Sequence, residues 1–164
     1  MSLSTLPMSP STSPESMTAA RPTDRPLLLT LGDVAGIGPE IVVKAHAAGE
    51  LDDALVVGDA LCLLRAAQGL RARADVPDRP IVRLADPAAW VRRPPGALTV
   101  IAPADLARAA GVVLPGHLRP DADGQPPLHE RPLGQVSRAA GQAAAAAIRA
   151  AIAAMTAGGQ GEAG

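Results

Sequence analysis

A short apolar run that breaks into a glycine-dense turn and resumes as a helix constrains this chain more than any other feature. Leu27-Leu28-Leu29-Thr30-Leu31 carries no charge, and Gly32-Asp33-Val34-Ala35-Gly36-Ile37-Gly38 follows it directly. The run reads as a buried strand. Pro39 suits the first helical position, where its missing N–H costs nothing, and Glu40 complements the positive end of the helix dipole. That helix is expected to run to about Ala48 and to stop at Gly49. Ala54–Val57 reads as a second strand, after which Asp59 caps a helix over Ala60–Gln68 with Gly69 as its stop. Ile81–Leu84 and Leu98–Ile101 read as third and fourth strands, with Trp90 in a proline-bounded linker between them. Strands alternating with helices argue for an α/β architecture with parallel pairing.

Beyond the fourth strand the pattern weakens. Residues 102–136 form a long Pro/Gly-rich connection in which Ala104–Ala110 alone looks helical; so long a connection points to function, disorder or docking. Ser137 then caps an alanine-rich helix reaching about Ala157, on which Ala144, Ile148, Ile152 and Met155 make one apolar stripe. Three segments are expected: a disordered tail over 1–26, rich in Ser, Thr and Pro, where Met17 is a second candidate start; an α/β region over 27–157; and a flexible end over 158–164.

Composition narrows the function classes. The chain has 164 residues, enough for one domain, and a formal net charge of −1. There is no basic excess to neutralise nucleic-acid phosphates, so no nucleic-acid partner is expected. No membrane partner is expected either, because Arg149 interrupts the most apolar run, Ala143–Met155, which is too short for about 30 Å of hydrocarbon. No secretory signal pattern is visible. The single cysteine, Cys62, excludes an intramolecular disulfide and a multi-thiolate metal site, and fits a cytoplasmic location. Phe and Tyr are absent and Trp90 is the one aromatic, so the core must be built from Leu, Val, Ile and Ala. Modest stability is expected, since small side chains each bury little area.

The candidate site is the turn over Gly32–Gly38. Its glycines permit positive φ and close ligand approach, and the N–H groups at a helix start favour anions. Gly32, Asp33, Gly36, Ile37 and Gly38 are therefore candidate ligand-facing residues. The alternative is a tight structural turn. The common phosphate fingerprints are not met: Ile41 stands where G-x-G-x-x-G needs its last glycine, and no Lys-Ser or Lys-Thr completes a P-loop. The other candidates are weaker. His46 is expected to be a partly exposed helix residue and Cys62 a small core residue. His117 and His129 flank Asp121 and Asp123 in spacing that matches no metal-ligand pattern. Arg71, Arg73, Arg92 and Arg93 read as solvated charges.

The segment Leu29–Ala45, with Gly32-Asp33-Val34-Ala35-Gly36-Ile37-Gly38-Pro39-Glu40 at its centre, resembles the amino-terminal signature of the 4-hydroxythreonine-4-phosphate dehydrogenase family of vitamin B6 synthesis. That signature reads T-x-G-[DE]-P-A-G-I-G-P-[DE]; Val34 stands for its usual proline. Val56–Ala60, Leu63–Ala67, Pro132–Ser137 and Ala140–Ala144 resemble the family's following segments. A shorter G-D-G-I-G-P-E motif marks the wider isocitrate and isopropylmalate dehydrogenase group. The resemblance implies a partial fold of that type, with mostly parallel strands and flanking helices. It also implies homodimers, NAD or NADP, a divalent metal held by three histidines, and oxidation then decarboxylation of a phosphorylated small-molecule substrate.

The family's metal histidines, its T-x-P-x-x-K segment and its G-H-T-E motif follow the long helix. Gly116-His117 is not the last of these, because Leu118 and Arg119 follow it and it precedes the helix. The resemblance therefore carries over only the first turn, with Gly32, Asp33, Gly36, Ile37 and Gly38 as cofactor-binding residues lining the cleft; no catalytic or metal-binding residue is carried over, and no cofactor is expected to be fully bound by these residues alone. Two alternatives remain: a non-catalytic truncated or split chain that self-associates or needs a missing carboxy-terminal half, and a small anion-binding module.

Overall fold

The computed structural model describes residues 25–118 and 126–158. Four strands alternate with helices: β1 (Leu27–Thr30), α1 (Gly38–Ala47), β2 (Ala54–Val57), α2 (Ala60–Ala72), β3 (Ile81–Leu84), β4 (Leu98–Ile101), α3 (Pro103–Ala109) and α4 (Arg138–Gly158). The strands form one all-parallel sheet in the order β1-β2-β4-β3. Leu28 pairs with Leu55, Val56 with Val100, and Val82 with Thr99. The expected fold class is the one observed. Wholly apolar β2, and β4, apolar but for Thr99, are buried throughout, as a parallel sheet covered on both faces requires.

Alternation along the strands divides the core into two layers. Val56, Leu98 and Val100 face α1 and α2, meeting Val42, Val43, Leu63 and Leu70. Leu55, Val57 and Ile101 face the other way, toward Trp90, Leu106 and the alanines of α4. Thr99, fully buried, donates its hydroxyl hydrogen to the Ala54 carbonyl at 3.3 Å and so leaves no polar group unpaired.

Several local expectations hold. Gly49 follows α1 with φ +82°, the left-handed conformation that ends helices. Asp59 caps α2 by accepting from the Leu61 N–H at 2.8 Å, and the Ser137 hydroxyl caps α4 by accepting from the Ala140 N–H at 3.1 Å. Cys62 is buried, as read.

Others are corrected. The first strand ends at Thr30 rather than Leu31, and α2 passes through Gly69 to Ala72, because this glycine keeps helical geometry. Trp90 does lie in the proline-bounded linker between β3 and β4, and that linker has structure of its own. The residue sits in a 3-10 turn over Pro87–Arg92, where Asp86 accepts from the Ala88 N–H at 2.9 Å, and it is 2% exposed. Arg93 is no free surface charge either. Its guanidinium lies 3.6 Å over the Trp90 ring and donates to the Asp52 carbonyl at 3.0 Å. Arg71 donates to the Arg79 carbonyl at 3.0 Å and pairs with Asp78. Within 102–136, α3 and two 3-10 turns, Gly116–Leu118 and Leu128–Glu130, bury Leu118 and Leu128. Arg65 fastens this segment by donating to the carbonyls of His129 and Arg131 at 2.9 and 2.6 Å.

On α4 the alanines, not the larger side chains, face the protein. Ala139, Ala140, Ala146, Ala147, Ala150 and Ala151 are buried, whereas Ile148, Ile152 and Met155 are 49%, 51% and 62% exposed. By length and a mean hydropathy of 1.2, Arg138–Ala157 could cross a membrane. Its alanine face instead packs on α3, β1 and β2, a contact that also suits a helix of a water-surrounded core. Residues 1–24 and 159–164, which hold most of the expected tail and end, lie outside the described residues, as do Asp121 and Asp123.

Candidate functional site

In open parallel sheets ligands bind beyond the carboxyl ends of the strands, between neighbours whose outgoing connections leave on opposite faces. Strands β2 and β4 are such a pair here: α2 leaves β2 toward one layer and α3 leaves β4 toward the other. A cleft of about 820 Å³ opens at that point. Gly58 and Asp59 follow β2 into it, Ala102 and Pro103 follow β4, and Leu31, Gly32 and Val34 follow β1. Ala143, Ala146 and Ala147 of α4 form a further wall. The lining is mostly apolar. Its charge lies at Asp59, which caps α2, and at Arg83 and Arg108, both paired with Asp105.

The five candidate residues of the first turn do not share one environment. Gly32 reaches the cleft with φ +70°, and nothing lies within 4 Å of where its Cβ would be. The Asp33 carboxylate accepts from the Ala35 N–H at 2.9 Å, holding the turn, and the Asp33 carbonyl accepts from the Gly36 N–H at 3.2 Å. Gly36 borders a small crevice shared with Glu40, Cys62 and His129. Ile37 is exposed at the start of α1, to which it gives no side-chain cap. A Cβ at Gly38 would stand 2.7 Å from the Leu31 carbonyl oxygen, so glycine lets α1 start directly against the end of β1. Gly58 was not read from the sequence as special. A Cβ there would stand 2.6 Å from the Leu31 Cβ, so it fixes the cleft floor by the same close approach. A glycine directly after an apolar strand was the available signal.

The titratable groups stand apart. His46 corrects the expectation of partial exposure: it is 3% exposed, on the buried side of α1, beside Val43, Arg71 and Arg79. Burial first, then the nearby Arg79 guanidinium, lowers its pKa from 6.5, against a smaller opposing effect of Asp52. Burial first, with help from Asp59, pushes the Cys62 thiol up to about 12, leaving it protonated and unreactive. His129 Nε2 lies 3.7 Å from Glu130 Oε1. Among the described residues no group of three or more His, Cys, Asp or Glu side chains could hold a metal ion. These residues therefore do not fit the metal of the resembling family, and no chemical step is derived through it. Toward a dinucleotide they offer a wall, Gly32 and Val34, without a closed cradle.

Neither a protein-family model nor a curated protein matches the chain. Solved structures do. The chain is similar to a 4-hydroxythreonine-4-phosphate dehydrogenase from Burkholderia phymatum, with 28% identity over 82% of this chain and 34% of that one, at a TM-score of 0.54. It is also similar to the enzyme of that name from Klebsiella pneumoniae, with 26% identity over 84% of this chain and 35% of that one, at a TM-score of 0.53. The likeness read in the first turn thus extends to the fold, and the chain spans about a third of the length of these structures.

Proposed function

We propose that these residues are the amino-terminal scaffold of an oxidoreductase like 4-hydroxythreonine-4-phosphate dehydrogenase, and that the Gly32–Gly38 turn forms one wall of its reaction cleft. The observation carrying this reading is the coincidence of two independent features. The turn that resembles the family signature borders the cleft at the sheet's switch point, and the described residues superpose on a third of such enzymes. In this reading the complete protein is a cytoplasmic homodimer. It oxidises a phosphorylated hydroxy amino acid with NAD or NADP, and any divalent metal it needs would be held by residues other than those described. The chain's own contribution is apolar walls that exclude water and a rigid turn that sets the cleft's width. Metal-binding and proton-handling groups come from outside these residues, and the 164 residues alone are inactive.

The purified chain, supplied with NAD, a divalent metal and 4-hydroxythreonine phosphate, is expected to form no NADH. Metal- and substrate-dependent NADH formation would overturn the assignment of the chemistry to residues elsewhere. Inorganic phosphate or NAD at millimolar concentration is expected to leave the melting temperature unchanged. A saturable rise would favour the self-contained anion-binding module instead. The closure of Gly38 by the Leu31 carbonyl argues against that module, because the space is taken by the chain itself.

A further inference from the structure

At the end of the sheet opposite the cleft, the last turns of α1 and α2 meet the starts of β3 and β4. A crevice of about 10 Å³ lies there. His46 of α1, Arg71 of α2 and Arg79 of the segment before β3 line it, together with apolar Ile81 and Leu98.

The polar side chains of this crevice offer nitrogen and no oxygen. Both ring nitrogens of His46 and Nε of Arg71 are buried without a hydrogen-bond partner, and His46 is 3% exposed. The rest of the Arg71 guanidinium is engaged with the Arg79 carbonyl and with Asp78, so its Nε–H is the uncommitted donor. Among the described residues the half-buried Arg79 guanidinium has no hydrogen bond or ion pair, yet it acts on His46 more strongly than Asp52 does. The nearby helix-end carbonyls are taken: that of His46 accepts from the Gly49 N–H, and that of Arg71 from the Ala74 N–H. Donors converge here and an acceptor is what they lack, whereas buried polar groups are ordinarily paired.

Size and charge define that acceptor. The space is on the scale of one water molecule, which excludes phosphate, sulfate and carboxylates. A water would answer the donors but not the charge. Of the two guanidiniums, Arg71 alone has a carboxylate, Asp78, so one positive charge is left beside the buried imidazole. A charge drawn out of water calls for a counter-charge.

We infer that this crevice is a binding site for a single halide ion such as chloride, held by Arg71 Nε, the Arg79 guanidinium and the His46 ring. The ion ties the ends of α1 and α2 to the segment that enters β3. A negative charge beside the ring offsets the repulsion from Arg79, so the ion and a proton on His46 favour each other. Chloride therefore raises the pH at which His46 titrates, and acid tightens chloride by the same factor. The inference rests on these side chains and not on the proposed reaction, so either can fail without the other.

The test is an NMR titration of the three histidines of the full chain in sodium chloride and in sodium gluconate at equal ionic strength. Gluconate is too large for the crevice. In chloride the His46 ring is expected to titrate higher by at least about half a pH unit, saturably, with His117 and His129 unmoved. Arg79→Gln is expected to abolish this response. Arg73→Gln, at an exposed side chain outside the crevice, is expected to keep it. A His46 ring that titrates alike in both salts would show that water alone fills the crevice and would overturn the inference. So would a response that gluconate reproduces, since that is general screening, or one that persists in a folded Arg79→Gln chain. A second measurement needs no variant. The chloride NMR line is expected to broaden when the chain is added and to sharpen again when excess bromide competes for the site. A line width indifferent to the chain would equally overturn the inference.

Discussion

At the scale of single residues, burial without partners is the clearest source of measurable behaviour. Both ring nitrogens of His46 are buried with no hydrogen-bond partner, and so is Nε of Arg71 beside it. With its pKa lowered on folding, His46 takes up its proton at a lower pH in the folded chain than in the unfolded chain, where the ordinary value is near 6.5. Stability is therefore complete above that pH and falls as pH drops below it, by up to about 1.4 kcal/mol per unit from this one group. Denaturant midpoints measured across this range should show the slope, and His46→Leu should flatten it. Cys62 should resist thiol reagents in the folded chain and react once denaturant unfolds it, because burial keeps the thiol protonated. Gly38→Ala should cost about 1–3 kcal/mol in the unfolding free energy, since either α1 or the Leu31 carbonyl must shift to admit the methyl group.

At the scale of elements, the parts with a local physical signal were legible and the parts decided by tertiary packing were not. The strands announced themselves as short apolar runs before Gly or Pro turns, and Asp59 and Ser137 marked helix starts because their oxygens satisfy free N–H groups. Gly69 misled because a glycine stops a helix only when the backbone turns left-handed, and here it does not. Trp90 carried no periodic signal, since a 3-10 turn between prolines has neither the helical nor the strand period. His46 could have been placed: it falls on the same face of α1 as buried Val42 and Val43, four and three residues earlier. The first turn was legible as a site only in part. Sequence located it, but could not show that Gly38 is closed by the chain's own backbone while Gly32 faces the cleft. Packing supplies a test at this scale too. Ala150, fully buried where α4 rests on the sheet, leaves no room for a larger side chain. Ala150→Leu should destabilise by about 1–3 kcal/mol in thermal or denaturant unfolding, despite its better hydrophobicity.

At the scale of the whole molecule, the described residues form a four-stranded parallel sheet with a mostly apolar cleft at its switch point. The most direct test joins these residues to the part of a matched enzyme to which the proposed reading assigns the chemistry. The full chain is fused ahead of the part of the Burkholderia phymatum enzyme that it does not match. NADH formation is then measured with 4-hydroxythreonine phosphate and a divalent metal. The expected result is metal- and substrate-dependent NADH formation by the fusion, abolished by removing the metal, with none from the chain alone. A fusion that unfolds cooperatively, binds the metal and still forms no NADH would contradict the account.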